Sequence, residues 1–346
     1  MRLLFITRNF PPQTGGMEQY SWNLYRMLEQ KTETDLLANT GNKRMLPIFL
    51  FRVFATLLFK GRRYSHIHLG DGVLAIAGLW ARLFSRARIT ITIHALDVTY
   101  DNPVYQAMIR FCLKRLDGVV CVSNYTKREC LARGVPANKC RVIPNGLDLT
   151  DMPTADNELT KSLINKFGLA DKKVLVSVGR LIRRKGMRWF VREVMPVLPP
   201  EYELLIAGDG PDRKAIEAAI VEAQISSRVT LLGSVDAQTK ACLYTLAELF
   251  VMPNIALDGD SEGFGISIIE AGFYGVPCIG ARLQGIPDAV IDGKTGTLVK
   301  SGDAAGFRQA ILDAGFDRNL VSETVRRQFD WSRLIDDYLE FFQLAG

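Results

Sequence analysis

The sequence predicts an α/β fold with two Rossmann-like domains, and three observations support this prediction. A length of 346 residues exceeds one ordinary core and fits two domains of about 170 residues each. The composition, with 48% hydrophobic and 23% charged residues, is that of a soluble globular protein. Short apolar runs alternate with amphipathic stretches from end to end, which is typical of parallel sheets covered by helices.

The first half of the chain contains five apolar runs that predict strands, with helices between them. The predicted strands span residues 3–7, 66–69, 89–93, 118–122 and 141–143. The helix after the first strand is clear, because apolar side chains recur at three- and four-residue steps and so form one face. This face consists of Met17, Tyr20, Leu24, Met27 and Leu28. Gly15 and Gly16 precede it, where they either form a tight turn or let backbone N–H groups approach an anion.

The second half repeats this pattern. Its predicted strands span residues 174–178, 203–207, 229–232, 249–252 and 276–279. A polar stretch at residues 150–162, TDMPTADNELTKS, separates the two series and has few side chains able to build a core. We therefore predict one domain over residues 1–155 and a second over residues 156–330.

Cysteine usage and the N-terminal residues indicate a cytosolic protein. The six cysteines include no CxxC pair and have no histidine cluster nearby, so neither a zinc site nor a disulfide framework is indicated. Met1 leads directly into the strand-like RLLFIT, so we expect no secretory signal.

Charge is distributed unevenly along the chain. Residues 1–150 contain 21 Lys and Arg against 10 Asp and Glu, a net charge of +11, whereas the remaining residues carry −5. A basic first half is expected to meet an anionic partner, nucleic acid or a membrane surface, although a merely solvated basic surface is an open alternative. No aromatic-basic RNA motif and no recognition helix is evident, so we expect no nucleic acid partner.

Residues 43–63, KRMLPIFLFRVFATLLFKGRR, are apolar through their middle and basic at both ends. Pro47 and Arg52 interrupt the run, whereas a membrane-spanning helix needs about 20 largely uncharged apolar residues. An interfacial helix on an anionic membrane fits this pattern, since apolar groups would reach the acyl boundary and cations the headgroups. An ordinary core helix with a basic exposed edge is an equally open interpretation.

The stretch EGFGISIIE at residues 262–270 is the most informative motif. Glu262 and Glu270 flank a small glycine loop that opens an apolar helix. Residues 263–266 would therefore present the unpaired N–H groups and partial positive charge of a helix N-terminus, which suit a diphosphate. Because the two carboxylates can accept hydrogen bonds from sugar hydroxyls, the motif predicts a nucleotide-sugar site.

Basic residues follow the first strand of the second half. The loop GRLIRRKG at residues 179–186 places Arg180 and Lys185 at the carboxyl edge of the sheet, where open α/β folds bind ligands and where cations can neutralise a diphosphate. GDGP at residues 208–211 is either a turn, which we favour, or a wall of the nucleotide pocket. The sequence has no GxGxxG or GxxxxGK[ST] loop, which disfavours dehydrogenase and ATPase functions.

His94 ends the strand ITITIH at the carboxyl edge of the first sheet, which is a typical active-site position. His66 and His68 lie in a predicted strand, with no third metal ligand nearby. Asp258 and Asp260 form a DGD sequence that resembles a metal-binding motif, but Asp-Gly turns are common in loops, so we expect no metal site.

Together these motifs resemble those of the retaining glycosyltransferases of family 4, which have the GT-B fold. The resemblance runs over nearly the whole chain. Its carriers are FPPQTGGMEQY, TIHALD, VSNYTKREC, VIPNGLD, VGRLIRRKG, IAGDGP, LLGSV and FVMPN…SEGFGISIIEAGFYGVPCIG. Bacterial phosphatidylinositol mannosyltransferases are the members that the chain resembles most, with lipopolysaccharide and polysaccharide glycosyltransferases as wider relatives.

The resemblance implies that two Rossmann-like domains face each other across a cleft, with the donor mostly on the second and the acceptor on the first. A last helix at residues 331–346 would join the first domain. The implied donor-binding residues are Gly16, Arg180, Lys185, Val235, Glu262, Phe264, Gly265, Ile266 and Glu270. Glu262 would hold the hydroxyls of the donor sugar and Glu270 those of the ribose. Val235 would touch the base.

The resemblance also implies a mechanism without a metal. The implied catalytic residues are His94, Arg180, Lys185 and Glu262. Arg180 and Lys185, aided by backbone N–H groups of Gly265 and Ile266, would hold the leaving diphosphate, which takes the proton of the acceptor. His94 would then orient the sugar and would not act as a general base.

We therefore expect a cytoplasmic hexosyltransferase, peripheral on the inner face of the cytoplasmic membrane, with no cofactor beyond its sugar-nucleotide donor. GDP-mannose is the favoured donor and a UDP-hexose the nearest alternative. The acceptor would be a glycan or lipid-linked molecule of cell-envelope polysaccharide, lipopolysaccharide or glycolipid synthesis. A noncatalytic sugar-nucleotide- or membrane-binding module is the alternative from a different class. An NDP-sugar epimerase is disfavoured because its acid and base carboxylates cannot be placed.

Overall fold

The computed structural model describes residues 1–13, 15–41 and 43–344. Thr14 of the motif FPPQTGGMEQY lies outside the described residues, as do Ala345 and Gly346, where the predicted last helix ends.

The chain forms two compact units. The first consists of Met1–Asp148, Asp258–Phe264 and the chain from Phe329 onward, and the second of Leu149–Leu257 and Gly265–Gln328. The loop Asp258–Phe264, which the sequence analysis assigned to the second domain, lies in the first unit because it packs there. The Tyr125 and Ser261 hydroxyls are 3.1 Å apart, and Gly263 lies against the backbone of Ala95. That the units fold as separate domains stays a prediction.

The described residues of the first unit form a six-stranded parallel sheet between helices. Its strands are β1 (Arg2–Thr7), β2 (Glu33–Ala38), β3 (His66–Leu69), β4 (Arg88–Ile93), β5 (Gly118–Cys121) and β6 (Cys140–Val142). Its first six helices are α1 (Gly16–Lys31), α2 (Leu46–Lys60), α3 (Ala75–Phe84), α4 (Ala95–Thr99), α5 (Pro103–Leu113) and α6 (Asn124–Ala132). The strand order is β2-β1-β3-β4-β5-β6.

The described residues of the second unit also form a six-stranded parallel sheet. Its strands are β7 (Lys173–Val178), β8 (Tyr202–Ala207), β9 (Val229–Gly233), β10 (Leu249–Met252), β11 (Cys278–Ala281) and β12 (Gly296–Val299), in the order β12-β11-β10-β7-β8-β9. Its helices are α7 (Asn157–Phe167), α8 (Met187–Glu193), α9 (Arg213–Glu222), α10 (Ala237–Leu246), α11 (Ile266–Phe273), α12 (Ile286–Ala289), α13 (Ala304–Leu312) and α14 (Arg318–Gln328). The last helix, α15 (Trp331–Leu344), belongs to the first unit.

The ten predicted strands are present within two residues of their expected bounds, and the two that the sequence missed are edge strands. β2 is half-exposed along most of its length, and β12 has four residues. An edge strand has one neighbour and less apolar cover, so it needs no continuous apolar run. The polar stretch expected as a linker also contains the start of α7, because the Asp156 side chain caps that helix by accepting a hydrogen bond from the Leu159 N–H at 2.8 Å.

Helix α2 buries one face and exposes another apolar face. Phe49, Val53 and Leu57 recur every four residues and lie in the core of the first unit. Phe51 and Phe59 are 71% and 79% exposed. Within the described residues no helix is long and apolar enough to cross a membrane. The core interpretation of residues 43–63 thus describes one face of α2, and membrane binding by the other stays a prediction.

A continuous chain of buried hydrogen bonds ties the first sheet to α1 and α15. Its members, in order, are His66, Thr90, His68, Thr92, Tyr20 and Tyr338, with successive contacts of 2.8, 2.8, 3.0, 2.8 and 2.6 Å. Burial, with a smaller contribution from Arg88, lowers the pKa of His66 to about 3, and burial also lowers the pKa of His68. Both imidazoles are therefore neutral when the protein is folded.

Replacing His66 by Gln should remove one proton from the pH dependence of stability. Unfolded His66 titrates near pH 6.5, so between pH 6.5 and its folded pKa of about 3 the unfolded chain binds one more proton than the folded protein. The free energy of unfolding then falls by ~1.4 kcal/mol per pH unit on acidification. His66→Gln lacks this contribution, so urea denaturation between pH 7 and 5 should show its deficit relative to wild type shrinking as the pH falls. Parallel curves would contradict the buried neutral state of His66.

Candidate functional site

In the second unit, the strand order reverses between β7 and β10, since β8 and β9 lie on one side of β7 and β11 and β12 on the far side of β10. In open parallel sheets, ligands bind outside the carboxyl ends of the strands at such a switch point. The loops that follow β7 and β10 contain GRLIRRKG and the start of the segment leading to EGFG. Sheet topology therefore brings these two motifs to one edge.

The loop that carries Arg180 and Lys185 is held from both sides. The Gly179 N–H donates to the Ala207 carbonyl and the Leu181 N–H to the Asp209 carbonyl, each at 2.9 Å. Gly208 and Gly210 of GDGP pack directly on carbonyl groups of this loop, where a Cβ atom would not fit. GDGP is thus more than a turn, because it supports the basic loop.

Gly186 closes the basic loop against the loop that follows β10. Its φ of +71° favours glycine, and a Cβ atom there would collide with the Pro253 carbonyl. The Ile255 N–H also donates to the Arg184 carbonyl at 3.0 Å. A small pocket beside this contact is lined by residues that include Arg180, which is exposed, and Lys185, which is half-buried.

Helix α11 begins beside this edge with an uncapped N-terminus. Gly265 precedes it with φ +98°, and no side chain among the described residues caps the helix there. The apolar residues Ile268 and Ile269 bury its inner face. Backbone N–H groups at Gly265 and Ile266 are therefore placed where an anion can accept their hydrogen bonds.

Glu270 lies one turn into α11 and is bound through both oxygens. The Lys240 Nζ atom is 2.7 Å from Oε1, and the Tyr244 hydroxyl donates to Oε2 at 3.1 Å. The Glu270 side chain is 17% exposed, so ligands can reach it. Val235, assigned to the base, is half-buried in the loop between β9 and α10.

The structure divides the predicted site residues between the two units. Arg180, Lys185, Val235, Gly265, Ile266 and Glu270 lie in the second unit, and Gly16, His94, Glu262 and Phe264 lie in the first. Glu262 is half-buried. The Phe264 side chain is 1% exposed and packs on Phe329 with ring centroids 5.7 Å apart, so only its backbone can contribute to a donor site.

The first sheet has its own switch point, between β1 and β3. His94 caps α4 nearby, with its N–H donating to Asp97 Oδ2 at 2.9 Å and its carbonyl accepting from the Asp97 N–H at 3.0 Å. Burial lowers the pKa of His94 to about 4, although Asp71 opposes this shift. The His94 Nε2 atom is buried and has no hydrogen-bond partner among the described residues. His94 is thus a neutral imidazole with a nitrogen available to a ligand. Gly16 begins α1, the helix that follows β1.

Sequence reasoning missed a charged cluster at this switch point. Arg8 Nε donates to Asp71 Oδ1 at 2.8 Å, and Asn9 Nδ2 to Asp71 Oδ2 at 3.3 Å. Asp71 and Asp97 are buried, and burial raises the pKa of both. The available signal was position, because Arg8 directly follows β1 and Asp71 lies two residues after β3. The cluster links the loops that surround His94.

Comparison with known proteins gives a consistent family. The family model for Glycosyltransferase Family 4 matches residues 14–151, and that for Glycosyl transferases group 1 matches residues 172–315. The GDP-mannose-dependent alpha-(1-6)-phosphatidylinositol monomannoside mannosyltransferase of Mycolicibacterium smegmatis is 28% identical over 90% of this chain and 88% of its own. The N-acetyl-alpha-D-glucosaminyl L-malate synthase of Bacillus anthracis is 28% identical over 73% of this chain and 67% of its own.

Solved structures establish the fold. Anabaena HepE in complex with UDP and glucose has a TM-score of 0.79 at 19% identity and covers 99% of both chains. Sucrose-phosphate synthase from Thermosynechococcus elongatus has a TM-score of 0.79 at 22% identity, covering 99% of this chain and 98% of its own. The chain therefore has the GT-B fold that the sequence analysis predicted.

Gly186→Ala should cost far more stability than Gly168→Ala. Both glycines have a left-handed backbone, with φ of +71° and +63°, but a Cβ atom at Gly168 would meet open space. We expect a loss of about 1 kcal/mol for Gly168→Ala from backbone strain, and about 3 kcal/mol or more for Gly186→Ala, which adds a collision with backbone. Urea denaturation measures both. Equal losses would mean that contact with Pro253 does not hold the basic loop.

Proposed function

We propose that this chain, which belongs to the family 4 glycosyltransferases and is a hexosyltransferase, moves mannose from GDP-mannose to a lipid-linked or glycan acceptor with retention of configuration. The related mycobacterial enzyme is named as GDP-mannose-dependent, which supports this donor. A UDP-hexose is the alternative donor, since the motifs hold parts common to sugar nucleotides. Glycolipid synthesis in the cell envelope fits the basic first half of the chain.

One observation carries the proposal: the cations, the uncapped helix and a carboxylate converge at the switch point of the second sheet. Arg180 and Lys185 follow β7, and Gly265 opens α11, which also bears Glu270. A diphosphate would accept hydrogen bonds at the N-terminus of α11 and pair with the two cations. Glu270 would then accept hydrogen bonds from the ribose, and Val235 would touch the base.

The proposed residues of the first unit act on the sugar and the phosphate. Glu262 would accept hydrogen bonds from hydroxyls of the transferred sugar, and the backbone of Gly16 would approach the donor phosphate. The backbone of Phe264 belongs to the same donor site. His94, neutral because its pKa is lowered to about 4, can accept a hydrogen bond from a hydroxyl at Nε2 and so orient the sugar.

These residues would stabilise the charges of glycosyl transfer. As the bond from the anomeric carbon to the phosphate oxygen breaks, positive charge develops on the sugar and negative charge on the diphosphate. Arg180, Lys185 and the helix N-terminus are placed to stabilise the diphosphate, and such preorganised charge is often the largest catalytic contribution. The acceptor hydroxyl attacks from the face that the phosphate leaves, and a phosphate oxygen takes its proton. The configuration of the sugar is thereby retained.

The transfer proposal is tested with two variants. Glu262→Ala and Lys185→Ala should fold but lose about 10²–10³ in transfer rate, because each removes a group that stabilises the transition state. The assay follows release of nucleotide from GDP-mannose, and in parallel from UDP-glucose, with vesicles containing phosphatidylinositol mannoside. Lys214→Ala, on the exposed surface of α9, is the control that should retain full activity.

The outcomes separate the alternatives. Unchanged rates in both variants would exclude the assigned roles, and binding without turnover in wild type would favour a noncatalytic module. Nucleotide release that does not depend on an acceptor would favour an epimerase or a hydrolase.

Membrane association is the second part of the proposal. The exposed face of α2 carries Ile48, Phe51 and Phe59, which are 55%, 71% and 79% exposed. Exposed cations border it at Arg52 and at Lys60, and continue at residues 62–63. Apolar groups beside cations bind the interface of anionic membranes. The protein would thus lie peripherally on the cytoplasmic face of the membrane that holds its acceptor.

The double variant Phe51→Ser/Phe59→Ser should bind phosphatidylglycerol vesicles at least about tenfold more weakly than wild type, because it removes most of the exposed aromatic surface of α2. Cosedimentation at low salt measures this. Val221→Ser/Leu320→Ser replaces two residues of the second unit that are 69% and 51% exposed, and this control should bind normally. Equal binding by all three proteins, or no binding by wild type, contradicts the membrane assignment.

A further inference from the structure

Helix α10 presents two hydrogen-bond donors to Glu270. Lys240 and Tyr244 are four residues apart, so they lie on one face of the helix, one turn from each other. Each binds a different oxygen of Glu270, Lys240 at 2.7 Å and Tyr244 at 3.1 Å. The carboxylate is therefore held at two points.

This arrangement leaves one acceptor position on each oxygen. An ionised carboxylate has about four lone-pair positions, two on each oxygen. One on Oε1 faces Lys240 and one on Oε2 faces Tyr244, so the remaining two can each accept one further hydrogen bond. The 2′ and 3′ hydroxyls of a ribose are two adjacent donors that match this pair.

Both donors are themselves fixed in position. Tyr244 is fully buried and stacks on Tyr274 with ring centroids 5.7 Å apart, and the Tyr274 hydroxyl donates to the Pro153 carbonyl at 2.6 Å. Burial, together with Glu270, raises the pKa of Tyr244, so its hydroxyl stays protonated and able to donate. The Lys240 side chain is 29% exposed, which keeps a path from solvent to the carboxylate.

We infer that Lys240 and Tyr244 are positioning residues that orient Glu270 so that each of its oxygens receives one hydroxyl of the donor ribose. The inference rests on the proposed function, which assigns the ribose to Glu270. Lys240 keeps Glu270 ionised and Tyr244 sets the rotation of its carboxylate plane. Together they reduce the orientational freedom that Glu270 would otherwise lose on binding.

The inference distinguishes nucleotides by their ribose hydroxyls. Binding of GDP should depend on Lys240 and Tyr244, whereas binding of 2′,3′-dideoxy-GDP should not, because it has no hydroxyl for Glu270 to accept. A merely structural role for the two residues would weaken both nucleotides alike. Comparison of the two nucleotides therefore separates positioning from general damage.

The experiment measures the Kd of GDP and 2′,3′-dideoxy-GDP by calorimetry, with UDP and 2′,3′-dideoxy-UDP in parallel. The variants are Lys240→Met, Tyr244→Phe and Glu270→Gln, and Lys240→Arg is the conservative substitution expected to restore binding. Lys172→Met is the matched control, since Lys172 is 34% exposed and pairs with the partly buried Glu203 at 3.4 Å before the start of β7. Thermal melting of each apo variant checks the fold.

We expect Lys240→Met and Tyr244→Phe to weaken GDP about five- to tenfold, with the dideoxy nucleotide changed less than twofold and Lys172→Met like wild type. If Glu270→Gln loses the preference for ribose while Lys240→Met and Tyr244→Phe keep it, the positioning role is wrong and the ribose role of Glu270 stands. If wild type binds all ribo- and dideoxynucleotides equally, the ribose role fails and the inference falls with it. Equal weakening of both nucleotides by Lys240→Met and Tyr244→Phe also overturns the inference.

Discussion

The reversal of strand order in each parallel sheet is the constraint on which the candidate site depends. Loops that leave neighbouring strands in opposite directions open a gap at the carboxyl edge, where backbone groups are not used by the sheet. In the second unit this gap lies between β7 and β10, and in the first between β1 and β3. The basic loop with Arg180 and Lys185, the uncapped α11 and the Arg8–Asp71 pair all lie at such an edge.

Polar groups buried around these edges give the site its rigidity. A buried polar atom without a partner is costly, so such groups adopt the few arrangements that satisfy them. The hydrogen-bonded chain from His66 to Tyr338 ties α15 to the first sheet, and Asp71 and Asp97 join the loops around His94. The pair of donors on Glu270 has the same effect in the second unit. Side chains that would contact a ligand are thus held by others that would not.

The sequence predicted most of the fold because central parallel strands are buried on both faces and appear as apolar runs. β2 and β12 escaped because edge strands are partly exposed and lack such runs. For the site, glycine loops and cations after strands pointed to Arg180, Lys185 and Gly265. Phe264 had no pattern that indicated a buried side chain, and the loop Asp258–Phe264 had none that assigned it to the first unit.

The sequence by itself determined the α/β class, the central strands and the motifs that follow them, since these depend on local periodicity and on residues close together in the chain. Tertiary structure alone decided which side chains meet. Arg8 and Asp71 are 63 residues apart, and Lys240 and Glu270 are 30 apart, yet each pair is in hydrogen-bond contact. Such pairings follow from strand order and helix packing, and no spacing within the chain encodes them.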